Sequence, residues 1–352
     1  MNREFEINID PLPDTSAKSL IVAEIGLNYD GDQSIALEAI ASAAECGADA
    51  VKFQVYKTEE FLFDRTSTYM YSLANGEVIS ESEYDMFKRH ELALDDCRVL
   101  KNSAEDAGMI FFASVADEFS CDQMRELDIE IYKIASVDLP NTRLLRQVGE
   151  KSGRVILSTG MADEREIEIA LSTLFAAGTS DVCLMHCVSM YPTPIHAINV
   201  QRIAELKKSF GLPVGLSDHT EGYVAAAVAV GLGCTVFEKH FTLDQNRRGP
   251  DHRFSANPRQ LTDYVSTIRT AELARGNGGL SFSELERESR EKFRCSIHAR
   301  IDIKAGTEIE SSMLAFYRPG TGLQPYEIDQ VVGRRAKRNL ERGGMITLSD
   351  LV

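Results

Sequence analysis

The chain has 352 residues, of which 43% are apolar and 26% charged, as in soluble globular proteins. Its 54 acidic residues outnumber 38 basic ones, for a formal net charge of −16, which argues against a nucleic-acid partner. The longest apolar stretch, 223–237, is too short to cross a bilayer, so no membrane partner is expected. The N-terminus lacks the apolar core of a signal peptide, and the seven cysteines contain no CxxC motif. Together these features favour a cytoplasmic protein.

Short apolar runs recur along the chain, and a helical pattern follows most of them. The runs lie at 19–25, 48–54, 108–114, 129–136, 153–160, 180–187, 211–220 and 233–241. Eight strands alternating with helices over about 260 residues predict a TIM (β/α)8 barrel. A doubly wound open sheet is the alternative, but no GxGxxG motif follows the first strand. Two segments, 55–90 and 188–200, interrupt the repeat and are predicted to be insertions, the first of them polar.

The pattern changes after about residue 280 to short alternating strands separated by glycine-containing turns. We therefore predict a barrel domain at 1–280, a linker at 281–294 and a small β-rich domain at 295–352.

Every predicted barrel strand ends in polar or ionisable residues. These are Glu24, Lys52, Gln54, Ser114, Lys133, Ser136, Ser158, His186, Ser217, His219, Glu238, Lys239 and His240. Singly, each has an ordinary explanation as a solvated lysine or a helix-capping serine. Because TIM-barrel active sites lie at the carboxyl ends of the strands, we expect most of these side chains to share one polar mouth.

Two lysines in this set, Lys52 and Lys133, suit a phosphorylated anion, since lysines supply charge and hydroxyl groups supply directed donors. The hydroxyls are those of Ser114, Ser136, Ser158 and Ser217.

Two histidines, His219 and His240, fall on adjacent predicted strands and suit a divalent metal such as Mn²⁺, Zn²⁺ or Fe²⁺. Neutral core histidines hydrogen-bonded to carbonyls are the competing interpretation. Glu24 and Asp251 suit groups that hold the metal's waters or transfer protons.

The remaining ionisable groups near His240 are expected to be less important. Of Glu238 and Lys239, we expect one to face the barrel wall and the other to pair locally. His252 is expected to be a loop residue and not a metal ligand.

The sequence strongly resembles the sialic acid synthase family, of the N-acetylneuraminate synthase type, along nearly the whole chain. The matching stretches are AEIGLNYDGD (23–32), CGADAVKFQ (46–54), YKIAS (132–136), VILSTGM (155–161), LMHCVSMYPTP (184–194), GLSDHT (215–220), EKHFTLD (238–244), GPDH (249–252), YRPGTG (317–322), VVGRRA (331–336) and ITLSDL (346–351).

The resemblance implies a TIM barrel followed by an antifreeze-like (SAF) domain. It implies that phosphoenolpyruvate condenses with an N-acylated amino sugar of the N-acetylmannosamine type, giving a nonulosonic acid and phosphate. By position, His219 and His240 would bind a divalent metal, typically Mn²⁺, with Mg²⁺ and Co²⁺ as alternatives. In a homodimer, Arg318 of the SAF domain would enter the partner's site.

The other roles are also carried over by position. Phosphoenolpyruvate would be held by Lys52, Lys133, Ser114, Ser136, Ser158 and Ser217, the metal-side water by Glu24 and Asp251, and the sugar by Gln54, Asn75, Asp138 and Tyr191.

Three positions depart from the family pattern and leave the sugar's identity open. Tyr29 stands where the family has histidine, 113–117 replaces STPFD, and 136–138 replaces SGE or SGD. The same chemistry on a 2,4-diacetamido sugar, as in legionaminic or pseudaminic acid synthases, or on a spore-coat or capsule sugar is the alternative. More distant alternatives are a Schiff-base aldolase using Lys133 and a non-catalytic sugar-phosphate-binding protein.

Overall fold

The structure is a computed structural model that describes residues 18–151, 153–276 and 281–352. Its contacts divide the chain into two compact units, with the division after Gly276. None of the helices in the described ranges is both long and apolar enough to cross a membrane.

The secondary structure alternates through the first unit and becomes sparse in the second. The strands are β1 (Leu20–Gly26), β2 (Ala50–Val55), β3 (Thr68–Ser72), β4 (Val78–Ser82), β5 (Ile110–Val115), β6 (Ile131–Ile134), β7 (Arg154–Ser158), β8 (Asp181–His186), β9 (Val214–Ser217), β10 (Val236–His240), β11 (Ser296–Ala299) and β12 (Leu314–Tyr317). The helices are α1 (Gln33–Glu45), α2 (Thr58–Phe61), α3 (Glu83–Arg89), α4 (Leu94–Asp106), α5 (Glu118–Glu126), α6 (Thr142–Lys151), α7 (Glu164–Ala177), α8 (Arg202–Phe210), α9 (Val224–Gly231), α10 (Pro258–Arg275) and α11 (Arg287–Phe293).

Eight parallel strands close into a barrel in the order β1-β10-β9-β8-β7-β6-β5-β2. The strands at the two ends of this order, β1 and β2, also pair with each other, so the sheet closes on itself. The predicted TIM barrel is thus confirmed, and the open sheet is excluded. Each predicted apolar run coincides with one barrel strand to within a few residues.

The surrounding helices begin and end at recognisable signals. Before α7, Asp163 and Glu166 form a reciprocal capping box, and Gly178 ends the helix in the left-handed conformation at φ 119°. Before α10, Asn257 accepts a hydrogen bond from the Gln260 backbone, and a proline fills the first helical position. These helices bury their apolar faces against the outward side chains of the barrel strands.

The barrel interior changes character from bottom to top. Near the amino ends of the strands it is filled by an apolar cluster of Leu20, Val22, Ala50, Phe112, Ile131, Ile156, Cys183, Met185 and Val236. Because side chains alternate along a strand, the next inward positions lie two residues further on, at the carboxyl ends. On β10, for example, inward Val236 is followed by Glu238 and His240. The alternation thereby places ionisable groups above an apolar floor.

The segment predicted as a polar insertion is well ordered. It contains α2, an antiparallel hairpin of β3 and β4, and α3. Within the hairpin, Tyr71 donates to Glu81 at 2.9 Å, and Glu81 also pairs with Arg89 of α3 at 2.6 Å. One face of the insertion is apolar and faces the barrel mouth, as described below.

The second unit has its own core, built around Ile297, Ile303, Ile309, Leu314, Val331, Leu340 and Ile346. Within residues 281–352, ladder pairing is confined to β11 and β12. The other extended stretches meet through isolated bridges, such as Ile303 with Leu340, so the predicted strands are only partly confirmed. Left-handed glycines, including Gly306 and Gly343, bend the chain before longer ladders form.

Candidate active site

A cavity of about 620 Å³ opens at the carboxyl ends of the barrel strands. It brings together nearly all the side chains predicted for the site. Those lining it are Glu24, Lys52, Gln54, Ser114, Lys133, Ser136, Asp138, Ser158, Tyr191, Ser217, His219, His240 and Asp251. Seven of the eight barrel strands thus contribute side chains to one polar mouth, and Tyr191 comes from the segment after the eighth strand, β8.

Two predicted residues lie elsewhere. Asn75 does not line the cavity, and its side chain instead accepts a hydrogen bond from the Glu77 backbone at 2.9 Å in the turn between β3 and β4. Asparagine commonly closes such turns by binding the backbone two residues on. Arg318 belongs to the second unit, where it is exposed and lies 5.4 Å from the centre of the Phe293 ring.

Both lysines are buried and each donates to a serine. Lys52 Nζ lies 2.8 Å from Ser114 Oγ and 2.7 Å from Glu24 Oε2, and Lys133 Nζ lies 2.8 Å from Ser158 Oγ. Burial alone would lower the pKa of Lys52, but nearby carboxylates outweigh it and raise the pKa. For Lys133, burial dominates and lowers the pKa.

Glu238 joins the two lysines and was not recognised as a site residue from the sequence. Its Oε2 lies 3.8 Å from the Nζ atoms of both Lys52 and Lys133, and its Oε1 accepts from Ser217 Oγ at 3.0 Å. Burial opposes ionisation, but the two lysines lower the pKa of Glu238 to about 2. It is therefore a carboxylate inside the barrel. Of Glu238 and Lys239, one was predicted to face the barrel wall and the other to pair locally, and neither placement describes Glu238. The two-residue alternation with His240 was the signal that could have found it.

Lys239 points the other way and pairs locally, as one of the two residues was predicted to do. It lies 3.4 Å from Asp218 Oδ2 and also donates to the Thr220 carbonyl. Asp218 Oδ1 accepts from Thr220 N at 2.9 Å. This buried pair joins β10 to the chain that follows β9, directly behind the two histidines.

The two histidines face each other with ring centroids 5.4 Å apart. His219 Nδ1 lies 2.8 Å from the Val188 carbonyl, which can only accept, so Nδ1 carries the proton and Nε2 a lone pair. His240 Nδ1 is buried without a hydrogen-bond partner. Burial lowers the pKa of both rings, which favours neutral imidazoles. The competing interpretation, in which core histidines are hydrogen-bonded to carbonyl groups, therefore holds for Nδ1 of His219 but not for Nδ1 of His240.

Asp251 approaches this pair from the loop between β10 and α10. Its Oδ2 lies 3.7 Å from His240 Nδ1. Burial raises the pKa of Asp251 to about 7, and the negative charge of Glu24 adds to the effect. The pKa of Glu24 is also raised, chiefly by burial and against the attraction of Lys52. Both carboxyl groups therefore bind protons more readily than exposed ones.

The outer part of the cavity is largely apolar and comes from the ordered insertion. It is lined by Val55, Tyr56, Phe61, Tyr69, Met70, Tyr71, Met86 and Phe87. Across from them, the Tyr191 ring lies 4.3 Å from that of His219 and 5.1 Å from Phe254. Residues in the 68–82 hairpin alternate on a two-stranded ribbon, and the sequence alone does not show which face meets the barrel.

Comparison with known proteins agrees with this architecture. Residues 39–279 match the model of the NeuB family, and residues 294–352 match that of the SAF domain. The chain belongs to the NeuB family. The resemblance recognised from its motifs, including the SAF domain, is thereby confirmed.

Individual NeuB-family relatives match over most of their length. The N,N′-diacetyllegionaminic acid synthase of Legionella pneumophila is 37% identical, over 94% of this chain and 93% of that one. Human N-acetylneuraminate-9-phosphate synthase is 32% identical, over 93% and 90% respectively. A crystal structure of N-acetylneuraminic acid synthetase from Leptospira borgpetersenii superposes with a TM-score of 0.70 at 32% identity, covering 79% of this chain and 94% of that one.

The three departures from the NeuB-family motifs differ in their distance from the cavity. Tyr29 does not line it; its hydroxyl donates to the His90 carbonyl, beneath the mouth. Ser114 lines the cavity, between buried wall residues Ala113 and Val115. Asp138 also lines it, and burial raises the pKa of its carboxyl group to about 7. Only the second and third departures can act directly on a ligand.

A cysteine that the sequence argument did not select also lies in the cavity. Cys187 Sγ is 3.1 Å from Ser136 Oγ, and the same hydroxyl accepts from Gly160 N at 3.0 Å. The Ser136 hydroxyl is thus oriented by its neighbours rather than free to rotate.

Proposed function

We propose that this NeuB-family protein condenses phosphoenolpyruvate with the open-chain aldehyde of an N-acylated amino sugar, giving a nonulosonic acid and inorganic phosphate. The observation that carries the proposal is the pairing, in one cavity, of two buried serine-bound lysines with two neutral histidines. The names of the Legionella and human relatives, both synthases of such acids, support it.

The lysine side of the cavity suits the phosphate of phosphoenolpyruvate. Lys52 and Lys133 supply positive charge, and their serine partners supply hydroxyl donors. Ser136 and Ser217 add two more hydroxyls to the cavity, the second of them between Glu238 and His219. When the C–O bond to the leaving phosphate breaks, these groups stabilise the charge that develops on it.

The histidine side fits a divalent cation, and we propose Mn²⁺. The fit rests on the lone pair of His219 Nε2, which lies 3.2 Å from Ser217 Oγ, and on the unpartnered Nδ1 of buried His240, with a carboxylate oxygen of Asp251 3.7 Å from that Nδ1. In the described ranges no cluster of three or more His, Cys, Asp and Glu side chains has the spacing of a metal site, so the protein's own ligands would be few. When bound, the cation would supply Lewis acidity towards the aldehyde oxygen.

The protein's own groups account for the remaining steps. The methylene carbon of phosphoenolpyruvate forms a bond to the aldehyde carbon, and the aldehyde oxygen takes up a proton. Water then adds at the cationic C2, and the C–O bond to phosphate breaks. Glu24 and Asp251, whose pKa values are raised, are placed to receive and deliver these protons.

The amino sugar would occupy the outer cavity. Gln54 and Tyr191 line it beside the histidines, and the apolar wall of the insertion suits the methyl groups of acyl substituents. An N-acetylmannosamine-type sugar is the first candidate. A 2,4-diacetamido sugar, the second, is favoured by the extent of that wall and by the name of the Legionella relative.

Two further features extend the proposal. All seven cysteines are free thiols, which supports a reducing cytoplasm. We also propose a homodimer in which Arg318 of one chain enters the site of its partner, as the family resemblance implies.

A panel of 2-acetamido and 2,4-diacetamido sugars, with their 6-phosphates, tests the reaction. Phosphate should appear only with phosphoenolpyruvate, a sugar and a divalent metal together, and mass spectrometry identifies the product. Release without metal would remove the role of the histidines, and no release with any sugar would favour a binding protein. Inactivation by borohydride with pyruvate would favour a Schiff base on Lys133.

A matched pair of histidine variants tests the metal site. His240→Ala should lose metal retention while the fold persists, and the exposed His196, outside the cavity, provides the control in His196→Ala. Equal metal binding in both variants would contradict the assignment.

A further inference from the structure

Two loops at the barrel mouth are joined by an ionic clasp formed by Asp30, Arg247 and His252, of which only His252 is fully buried. Asp30 lies in the loop after β1; the other two lie in the loop between β10 and α10. Asp30 Oδ1 is 2.9 Å from His252 Nε2, and its Oδ2 accepts from Arg247 Nε at 2.9 Å and lies 2.7 Å from Nη2. None of the three side chains lines the cavity.

His252 lies in the loop between β10 and α10, as predicted, and its side chain is wholly buried. Both ring nitrogens have partners, because Nδ1 lies 2.7 Å from Thr242 Oγ1 and Nε2 meets Asp30. The neighbouring chain is packed tightly against the ring: a Cβ atom at Gly249 would lie 2.7 Å from His252 Cδ2. The orientation of the imidazole is therefore determined by its surroundings.

A second connection reaches the same loop from Asn28. Its Nδ2 donates to the Phe241 carbonyl and to Ser255 Oγ, both at 2.9 Å. Ser255 Oγ in turn donates to the Asp251 carbonyl at 2.6 Å. The loop after β1 thus holds the backbone of Asp251 from one side, and the clasp holds the next residue, His252, from the other.

The Asp251 carboxyl group itself has little to hold it. No hydrogen bond to its oxygens occurs within the described ranges, and its nearest ionic partner is His240 Nδ1 at 3.7 Å. Its position in the cavity is consequently set by the backbone on which it stands. That backbone is anchored by residues that the proposed reaction does not use.

We infer that the Asp30–His252 pair is a positioning device, which holds Asp251 against His240 at the sugar side of the site. The inference rests on the proposed function, because Asp251 matters only if that site works. The lysines and serines lie on or directly after barrel strands and do not depend on this loop. Loss of the pair should therefore impair the sugar and metal side while leaving phosphoenolpyruvate binding intact.

The test compares His252→Ala and Asp30→Ala with Asp30→Asn, which keeps the acceptor oxygen but not the charge. Asp32→Asn, two residues along, is the control, because Asp32 is exposed and only caps α1. The alanine variants should lose about 10–100-fold in kcat/KM for the amino sugar, the range typical of groups that orient a metal or catalytic residue. The KM for phosphoenolpyruvate should stay within about twofold, and Asp30→Asn should recover most of the loss.

Folded alanine variants with unchanged kcat/KM would overturn the inference, as would an equal loss for both substrates. If His252→Ala does not fold, His252→Gln decides by the same criterion. If the wild-type protein releases no phosphate with any sugar, the proposed reaction fails. The positioning role is then tested by measuring Mn²⁺ affinity with electron paramagnetic resonance. There, about tenfold weaker binding in the alanine variants supports the positioning role; affinity equal to wild type, or no Mn²⁺ binding at all, overturns it.

Discussion

Replacing Glu238 by glutamine should reveal the charge balance inside the barrel. The substitution keeps the volume and the hydrogen bond from Ser217 but removes the carboxylate that lies 3.8 Å from both Lys52 and Lys133. At that separation each ion pair contributes about 4 kcal/mol at an effective dielectric constant near 20. The sum of the two ion-pair energies overstates the loss of stability, because Lys133 can release its proton. Burial already lowers the pKa of this lysine.

We therefore expect Glu238→Gln to lose about 3–5 kcal/mol of stability, the usual cost of removing one partner from a buried charged group. For a domain of this size that corresponds to a fall in Tm of roughly 10 °C. Inorganic phosphate should raise the Tm of the variant more than that of the wild type, because Lys52 keeps only Glu24 as its partner and Lys133 loses Glu238, so the two lysines bind an anion more tightly.

Differential scanning calorimetry at neutral pH, with and without phosphate, measures both effects. Glu118→Gln is the control, since Glu118 forms an exposed pair with Arg143 and should contribute less than about 1 kcal/mol. An unchanged Tm and an unchanged phosphate response in Glu238→Gln would refute the reasoning, because the lysines would then not be charged together in the resting protein.

Three further predictions concern other parts of the molecule. In metal-free protein, the pKa of Asp251 is about 7 in the folded state against 3.8 in the unfolded state, so the stability that its protonated form contributes is fully present below pH 4 and is lost as pH rises through 7. In urea titrations, Asp251→Asn should remove on the order of 3 kcal/mol of this pH dependence. An unaltered pH profile of stability in the variant would contradict the prediction. Lys239→Met should cost about 3–5 kcal/mol by leaving Asp218 buried and unpaired, and adding Asp218→Asn should restore part of it, whereas additive losses would argue against the pair. Arg318→Ala should lower turnover without changing Tm, and a fully active monomer in analytical ultracentrifugation would disprove the cross-dimer role.

The sequence predicted the barrel and most of the cavity because both depend on local periodicity. Apolar runs of strand length gave the eight strands, and the carboxyl-end rule placed Lys52, Lys133, His219 and His240 in one mouth, as the structure has them. The same two-residue alternation also determines the inward direction of Glu238, so that error was avoidable.

Other features depend on contacts between distant segments and had no local signal. His252 is buried because Asp30, 222 residues earlier, reaches it across the mouth. The apolar wall is assembled from several parts of the insertion, among them Phe61 of α2, Tyr71 of β3 and Phe87 of α3, which only the tertiary fold brings together. In the second unit, the isolated bridges that replace strands reflect turns that the alternation of residues does not reveal.

The β3–β4 hairpin has a consequence for how the family's pocket can vary. Its five backbone pairs, from Thr68–Ser82 to Ser72–Val78, close on each other and involve no barrel strand. Side chains such as Tyr69 and Met70 can therefore change without disturbing barrel closure, while still altering the shape of the outer cavity. Exchanging residues 68–82 between relatives should therefore alter the outer cavity while leaving the pairing of the barrel strands unchanged.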